Sequence, residues 1–270
     1  MIKNLIIILL FIKLVLSLPQ NIKRFEKMSI LETYKPEISV DCVVFGFDGS
    51  RLKVLLVQRN DEVPVEELEG FNNRKLPGSI ILPNEDLDSA AYRILEEYTG
   101  LSNIYLHQFK AFGSPNRSSY ADEPWMEKVK RLNISRLVTV GYVALIKINN
   151  RVKQQSTSQK GQVVWLNIED YRHEHLAFDH KDIISAALES IRLELKYEPQ
   201  LMFELLPKKF TMTQLRNLHD TIYQKKSDVR NFQKRMMQLE GISALAETEV
   251  GVPHRAARYF TYTKRKNKND

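Results

Sequence analysis

The sequence predicts an α+β fold in two domains, because strand-like and helix-like segments alternate before Pro199 and short helices predominate after it. Residues 38–47 alternate apolar and polar side chains with the period of two that is typical of a strand, whereas residues 183–195 place apolar side chains at helical spacing. The chain has 270 residues, which gives room for two domains, and its hydrophobic content of 43% is that of a globular protein that buries a core. We expect a first domain at residues 34–196 and a second at residues 198–263.

The first 27 residues form an apolar leader outside both predicted domains. The apolar run at residues 5–12 follows Lys3, is too short to span a membrane, and resembles the hydrophobic part of a signal peptide. Our hypothesis is that Met28 is the true start and that residues 1–27 are an over-extended reading frame, which predicts a cytoplasmic protein without membrane contact. An intact mass that corresponds to a native protein beginning at Met1, or near Pro19, would contradict this hypothesis.

The first domain is predicted to begin with a hairpin. The dipeptide Asp48-Gly49 separates a strand at residues 38–47 from a return strand at residues 53–58, which is a strong hairpin signal. The single cysteine, Cys42, lies within the first of these strands and is expected to pack in the core without a disulfide bond.

The rest of this domain alternates loops, strands and helices. We predict a helix at residues 87–98 and strands at residues 104–109, 137–148 and 163–166, with polar loops or insertions at residues 61–73, 118–133 and 151–161. A second helix follows Asp179, whose carboxylate is a plausible N-cap because it can accept hydrogen bonds from free backbone N–H groups.

The second domain is predicted to contain three helices and a two-stranded wing. The first helix covers residues 201–206, the second begins at a cap provided by Thr211 or Thr213, and Ser227-Asp228 caps the third. The expected buried stripe of the third helix is Val229, Phe232, Met236 and Leu239. Two strands, at residues 244–250 and 258–263, surround a turn. This order is typical of a winged helix-turn-helix.

The charge distribution favours DNA as the partner of the second domain. Residues 198–270 carry 14 Lys/Arg and 8 Asp/Glu, a net charge of +6 out of the total of +7, and residues 264–270 form a basic tail. The expected DNA-binding residues are Thr213, Gln214, Arg230, Asn231, Lys234, Arg235, His254, Arg255 and Arg258. The alternative is a helical dimerisation lobe with an ordinary charged surface.

The motif that decides the function of the first domain lies between residues 76 and 101. Glu85, Arg93 and Glu97 have the spacing of the Nudix box, and Gly100 closes it. The stretch therefore resembles that box, in which glutamates of one helix hold Mg2+ against a pyrophosphate because hard cations prefer oxygen ligands.

Three departures from the box fall where the metal chemistry would occur. Ser79 replaces the box glycine, and Ile94 and Tyr98 replace two glutamates. Consecutive residues of a helix are rotated by about 100° from one another, so Glu96 should not substitute for the two lost glutamates. We interpret Glu85, Arg93 and Glu97 as vestigial, with no catalytic residue, and we expect no cofactor; Mg2+ would be required only by a hydrolase.

Several further segments are similar to the Nudix-related transcriptional regulators, which join a degenerate Nudix domain to a winged helix. These segments are residues 37–42, 112–117, 176–180, 203–207, 209–211 and 252–257. The resemblance implies an α/β/α sandwich with a mixed sheet, a homodimer, a double-stranded DNA operator and a small-molecule effector bound by the former catalytic domain. Some members of this family sense ADP-ribose and control NAD metabolism, and others sense arabinose.

On this basis we expect a repressor of a carbohydrate or NAD-related operon that senses a sugar such as L-arabinose or a nucleotide-sugar. The lost carboxylates disfavour a metal-bridged pyrophosphate and so mildly favour a neutral sugar. The candidate effector-binding residues are Ser79, Asn116, Arg117, Asp179 and His180. The same region suggests a weaker alternative, a metal site at His175, Asp179 and His180, whose spacing matches no strong ligand pattern.

Two other classes of function stay open. A divergent Nudix hydrolase would release phosphate from a nucleoside diphosphate-linked substrate in a Mg2+-dependent reaction that Glu97→Gln abolishes. A pseudoenzyme that binds RNA ends would prefer RNA to duplex DNA.

Overall fold

The computed structural model describes residues 36–58, 74–117, 136–148, 157–158, 161–253 and 255–264. The first domain opens with the predicted hairpin, formed by β1 (Pro36–Phe47) and β2 (Leu52–Gln58). Asp48 closes the turn, because its Oδ1 accepts a hydrogen bond from the backbone N–H of Ser50 at 2.9 Å. Gly49 has a φ of 98°, in the left-handed region that glycine adopts most readily.

The hairpin belongs to a mixed sheet. Its other strands in the described part of the chain are β3 (Arg74–Lys75), β4 (Gly78–Ile80), β5 (Tyr105–Phe112), β6 (Arg136–Lys147), β7 (Thr157–Ser158) and β8 (Gly161–Asn167). The strand order is β5-β6-β1-β2-β8-β7, with β3 paired to β2 and β4 paired to β1. The β1–β6 pair is parallel and the remaining pairs are antiparallel. The sheet is therefore mixed, as expected.

Two helices cover the opposite faces of this sheet. Helix α1 (Leu87–Thr99) packs with the β1 residues Val40, Cys42 and Val44. Helix α2 (His180–Tyr197) belongs to the core that contains the alternate β1 residues Val43, Phe45 and Phe47. The strand alternation thus supplies one apolar layer to each helix. This arrangement confirms the α/β/α sandwich.

The second domain is a winged helix. After a 3-10 helix (Pro199–Glu204) come β9 (Phe210–Thr211), α3 (Met212–Tyr223), α4 (Val229–Met236), β10 (Ile242–Thr248) and β11 (Arg258–Tyr262). The strands form a sheet in the order β10-β11-β9. The predicted bounds of the first helix, residues 201–206, are wrong: it runs from Pro199 to Glu204 and is a 3-10 helix with i→i+3 hydrogen bonds, as in Leu205 N–H to the Met202 carbonyl at 3.2 Å.

The prediction that Val229 belongs to the buried stripe of α4 is also wrong. Its side chain is 54% exposed, whereas Phe232 and Met236 are 3% exposed each. Helix α4 has only eight residues, and Val229 is the first of them. The core therefore includes Phe232 and Met236 but not Val229, which lies in the exposed N-terminal turn of the helix.

The two domains share one apolar core. The cluster on the α2 side of the sheet continues through Phe203, Leu215 and Phe232. Phe203 also stacks on Tyr262 of the wing, with ring centroids 4.1 Å apart. A polar contact accompanies this packing: Arg192 Nε of α2 donates a hydrogen bond to the carbonyl of Ile222 in α3 at 2.6 Å.

Several predicted segments lie outside the described residues. They are the leader at residues 1–27, the loop at residues 61–73, the insertion at residues 118–133, most of the loop at residues 151–161, and residues 265–270 of the tail. Within the described residues, no helix combines the length and apolar character that crossing a membrane requires.

Candidate functional site

The Nudix-like box forms a loop and a capped helix. Asp86 caps α1, because its Oδ1 accepts a hydrogen bond from Ser89 N–H at 2.7 Å. Gly100 ends the helix in the left-handed conformation with a φ of 62°, and its N–H donates to the carbonyl of Glu96 at 2.8 Å. The box is thus locally well specified at both ends.

The retained charges of the box bind one another. Arg93 donates from Nε to Glu85 Oε2 at 2.8 Å, and its Nη2 forms a second bond to Glu85 Oε1 at 2.5 Å. The same guanidinium lies 3.4 Å from Glu97 Oε1. Glu85 also accepts a hydrogen bond from Leu82 N–H at 2.7 Å, which holds the loop before α1. In this arrangement the retained charged residues fix the loop to the helix.

The two replaced glutamate positions belong to the core. Ile94 is 0% exposed and Tyr98 is 4% exposed, and both pack in the cluster between α1 and the sheet. Burial, with the nearby Glu97 carboxylate, raises the pKa of the Tyr98 hydroxyl to about 12, so this group stays neutral. Glu96 is exposed on the opposite side of the helix. The two positions therefore supply no carboxylate to a metal.

A second polar cluster lies on the α2 face of the sheet. Arg117 is only 2% exposed, and its Nε and Nη2 donate to the two carboxylate oxygens of Asp179 at 3.1 and 2.8 Å. The guanidinium also lies 3.8 Å from Asp41 Oδ2, which accepts a hydrogen bond from Thr139 Oγ1 at 2.8 Å. This bidentate pair joins the segment after β5 to the start of α2, and the contact with Asp41 links it to the two central parallel strands.

His180 completes this cluster. Its Nδ1 accepts a hydrogen bond from the backbone N–H of Leu76 at 3.0 Å, and its Nε2 lies 3.8 Å from Asp41 Oδ2. Burial lowers the pKa of His180 to about 4, although the Asp41 carboxylate opposes this shift, so the ring is neutral near pH 7. A neutral ring that accepts at Nδ1 carries its proton on Nε2, which faces Asp41.

Position 78 must be a glycine, because a side chain there would have no space beside this cluster. A Cβ atom built at Gly78 would lie 2.0 Å from Asp41 Oδ1 and 3.0 Å from the carbonyl oxygen of Val40. The Pro77-Gly78 turn thus approaches the Asp41 carboxylate too closely for any side chain.

The structure brings three of the five candidate effector residues together. Arg117, Asp179 and His180 meet in the cluster. Ser79 lies on β4, where it pairs with Val40 of β1, and Asn116 is exposed next to Arg117. The expectation that the Asp179 carboxylate caps α2 is wrong, because the helix has no side-chain cap bond and the carboxylate binds Arg117 instead.

Sequence reasoning missed Asp41 and Thr139. Both are buried and occupy paired parallel strands, where Ser39 lies opposite Thr139. The available signal was Asp41 itself, since a carboxylate inside an apolar strand requires a partner. The alternative metal site at His175, Asp179 and His180 is not assembled: His175 is exposed, and no group of three or more His, Cys, Asp or Glu residues within the described residues could hold a metal ion.

The second domain exposes a polar face on α4. Arg230, Asn231 and Lys234 are exposed, and Asp228 Oδ1 caps the helix by accepting a hydrogen bond from Asn231 N–H at 2.9 Å. Helix α4 therefore presents charged and amide side chains of the kinds that contact phosphates and base edges.

The remaining candidate DNA-binding residues are spread over α3, the end of α4 and the wing. Thr213 is exposed, whereas Gln214 takes part in a capping box, in which its Oε1 accepts from Thr211 N–H at 2.9 Å. Arg235 is exposed, and its Nη2 lies 3.1 Å from His219 Nε2. Arg255 and Arg258 are also exposed, and His254 lies outside the described residues.

Family models match both parts of the chain. A model described as the NUDIX domain matches residues 35–187, and a model described as the NrtR DNA-binding winged helix domain matches residues 202–262.

Individual proteins of known type match most of the chain. The ADPR responsive transcriptional repressor NtrR of Acinetobacter baylyi is 27% identical over 226 residues, which cover 83% of this chain and 81% of the relative. The crystal structure of Shewanella oneidensis NrtR complexed with a 27mer DNA has a TM-score of 0.63 and 26% identity, covering 84% of this chain and 93% of that one. A MutT/nudix family protein from Enterococcus faecalis has a TM-score of 0.57 and 25% identity, with coverages of 85% and 89%.

Proposed function

The chain belongs to the Nudix family, in a form that ends in an NrtR-type winged helix, and we propose that it is a transcriptional repressor whose Nudix domain senses a nucleotide-linked sugar such as ADP-ribose. The observation that carries this proposal is the burial of Ile94 and Tyr98 in the core of α1. The domain keeps the architecture of a nucleotide-binding enzyme, while two positions that would hold the metal have become part of its hydrophobic core.

The choice of effector rests on the relatives. The Acinetobacter baylyi repressor is named for its response to ADP-ribose, and it aligns with most of this chain. The comparisons give no support to L-arabinose, which the sequence had favoured because of the lost carboxylates. Loss of the metal ligands is compatible with a phosphorylated effector, because a sensor must bind its ligand and need not cleave it.

The effector site that we propose is the region around Arg117, Asp179 and His180. Arg117 is buried, and its Nε and Nη2 bind the Asp179 carboxylate, so we assign to this pair the role of fixing the start of α2. Within the described residues, Arg117 Nη1 has no hydrogen-bond partner. Asn116 is exposed next to Arg117, and we assign a direct effector contact to it. Ser79 pairs with Val40, which packs on the α1 side of the sheet, so its side chain lies on the face opposite this cluster.

We propose that α2 couples the effector site to the DNA-binding domain. It begins at His180, in the polar cluster, and near its other end Arg192 binds the Ile222 carbonyl of α3. A displacement of the start of α2 would therefore move α3 and the adjacent α4. In a homodimer on a two-fold operator, such a movement changes the spacing of the two α4 helices, and DNA affinity falls by the effector's preference for the displaced state.

Fluorescence anisotropy with duplex DNA from upstream of the protein's own gene tests this function. The titration is made at about 150 mM salt with nonspecific competitor, because a basic protein binds any DNA at low salt. We expect tight binding that ADP-ribose weakens and L-arabinose leaves unchanged. Binding no tighter than to random duplex DNA would contradict the repressor, and release by L-arabinose alone would contradict the assigned effector.

The alternative function is a divergent hydrolase, which is favoured by one observation: Glu85, Arg93 and Glu97 are still assembled on α1 and its loop. A Mg2+-dependent release of product from ADP-ribose that Glu97→Gln abolishes would establish it. Preference for RNA over duplex DNA in the anisotropy assay would instead favour an RNA-binding pseudoenzyme.

A further inference from the structure

A cavity of about 570 Å³ opens in the second domain, away from the Nudix-like box. It lies between the end of α2, the 3-10 helix, α3 and α4. Part of its wall is apolar, formed by Leu195, Met202, Met236 and Leu239. Its volume is within the range of about 300–1,000 Å³ that is usual for small-molecule sites.

The polar part of the cavity wall is cationic. Four basic side chains line it, and within the described part of the chain no aspartate or glutamate does; the four are Lys196, Lys225, Lys226 and Arg235. Like charges focused in a concave site attract an anion, and a dianion gains most from four of them. The cavity therefore combines an apolar surface with a site for an anionic head group.

A chain of polar contacts orients one of these cations. Ser227 Oγ donates to Asp220 Oδ1 at 2.6 Å, the same oxygen lies 3.3 Å from His219 Nδ1, and His219 Nε2 lies 3.1 Å from Arg235 Nη2. A guanidinium can only donate, so Nε2 accepts, and burial lowers the pKa of His219 and keeps the ring neutral. The ring proton is then on Nδ1 and is donated to Asp220.

The Arg235 guanidinium is thereby held in place before any ligand arrives. It also lies over the ring of Phe232, at 5.7 Å from the centroid. A planar guanidinium fixed in this way is suited to bind two oxygens of one phosphate. The contacts of α4 thus divide between two sides: Arg230 and Lys234 are exposed and do not line the cavity, whereas Arg235 does.

We propose that this cavity is a second ligand site, which binds a small organic phosphate with an apolar or aromatic body. Arg235 and the three lysines contact the phosphate, and the apolar wall receives the body. Because Arg235 and Met236 belong to α4, a ligand in this site would contact the helix that we propose to face DNA. The site is separate from the effector region around Arg117, and it does not depend on the identity of that effector.

Isothermal titration of the full chain with phenyl phosphate tests this proposal, with phenol and inorganic phosphate as the two fragments. We expect a single site that binds phenyl phosphate at least about tenfold more tightly than either fragment, and Arg235→Gln to weaken that binding by about tenfold or more. Lys234→Gln is the matched control, since it removes a neighbouring charge of α4 that does not line the cavity, and it should leave phenyl phosphate affinity unchanged.

Three outcomes would overturn the proposal: phenyl phosphate binding no tighter than phosphate, equal effects of Arg235→Gln and Lys234→Gln, or a loss of affinity for nonspecific duplex DNA in Arg235→Gln as large as in Lys234→Gln. The last outcome would make the cavity part of a contact to the DNA backbone. The double variant Lys225→Gln/Lys226→Gln, at exposed positions, keeps the test valid if Arg235→Gln lowers the melting temperature, and it should also weaken phenyl phosphate binding.

Discussion

The Arg117–Asp179 pair decides how the first domain holds its polar cluster. Both side chains are largely removed from water, since that of Arg117 is 2% exposed and that of Asp179 is 11% exposed. Each charge is tolerated because the other binds it through two hydrogen bonds, at 3.1 and 2.8 Å. Removal of one partner would leave the other as an uncompensated buried charge.

We therefore expect Arg117→Ala to lower the free energy of unfolding by about 3–5 kcal/mol. Urea denaturation at pH 7 measures this change. The control is Glu174→Gln, which removes the partner of Arg74 in a half-exposed ion pair and should cost about 1 kcal/mol or less. Equal losses in the two variants would mean that burial does not determine how much the Arg117–Asp179 pair contributes to the free energy of unfolding.

His180 predicts a pH dependence of stability. Its pKa is about 4 in the folded protein and near 6.5 when unfolded, so the unfolded state takes up the proton first on acidification. Stability is thus lost as the pH falls from about 6.5 towards 4, by on the order of 3 kcal/mol in all. His180→Asn keeps an acceptor for Leu76 N–H and should reduce the difference between unfolding free energies at pH 7 and pH 5.

The matched control for this experiment is His173→Asn, at an exposed position. It should retain the full difference in unfolding free energy between pH 7 and pH 5. If both variants keep that difference, another group causes the acid sensitivity.

At the scale of single elements, α1 shows how a catalytic motif can persist as structure. The Arg93–Glu85 contacts still fix the loop before the helix, but Ile94 and Tyr98 have made the former metal side of the helix part of its packing surface. A glutamate restored at position 94 would have to enter an apolar cluster and not a solvated cleft.

Ile94→Glu should accordingly destabilise the protein by several kcal/mol and yield no Mg2+-dependent hydrolysis of ADP-ribose. Thermal melting measures the first effect, and chromatographic detection of AMP and ribose 5-phosphate, the products of ADP-ribose hydrolysis, measures the second. Glu96→Gln changes an exposed residue of the same helix and should alter neither. Appearance of hydrolysis in Ile94→Glu would instead favour the divergent hydrolase.

Helix α3 begins with a reciprocal capping box. Thr211 Oγ1 accepts from Gln214 N–H at 3.2 Å, and Gln214 Oε1 accepts from Thr211 N–H at 2.9 Å. We expect Thr211→Ala to cost about 1 kcal/mol of unfolding free energy. Thr213→Ala lies two residues away at an exposed position and should cost much less; a reversed order of the two in urea denaturation would contradict this cap.

At the scale of the whole molecule, α2 joins the two domains. Its first residue belongs to the polar cluster, its apolar face belongs to the core shared with the winged helix, and Arg192 binds the Ile222 carbonyl. Such a helix can transmit a displacement, because both of its ends are anchored by specific contacts.

Arg192→Gln should therefore reduce the factor by which saturating ADP-ribose weakens operator binding, while the affinity for operator alone stays close to that of the unmodified protein. Anisotropy titrations with and without ADP-ribose give this factor for each protein. Glu189→Gln, at an exposed position of α2, should leave it unchanged. An unaltered factor in Arg192→Gln would exclude this contact as the coupling route.

The alternation and spacing of the sequence determined the order of the elements. The hairpin at Asp48-Gly49, the box helix, the helix after Asp179 and the wing all follow from local patterns, because each pattern expresses a repeat of the backbone itself. The departures at Ile94 and Tyr98 were equally visible, since they depend only on residue type at a fixed spacing.

Only the tertiary structure decided what the polar side chains do. The partner of Asp179 is Arg117, 62 residues away, and the partner of the His180 ring is the backbone of Leu76, 104 residues away. Local preference predicted a helix cap for Asp179, but a buried guanidinium binds a carboxylate more strongly than exposed backbone N–H groups do. The cavity beside Arg235 likewise depends on four elements meeting, which no local pattern encodes.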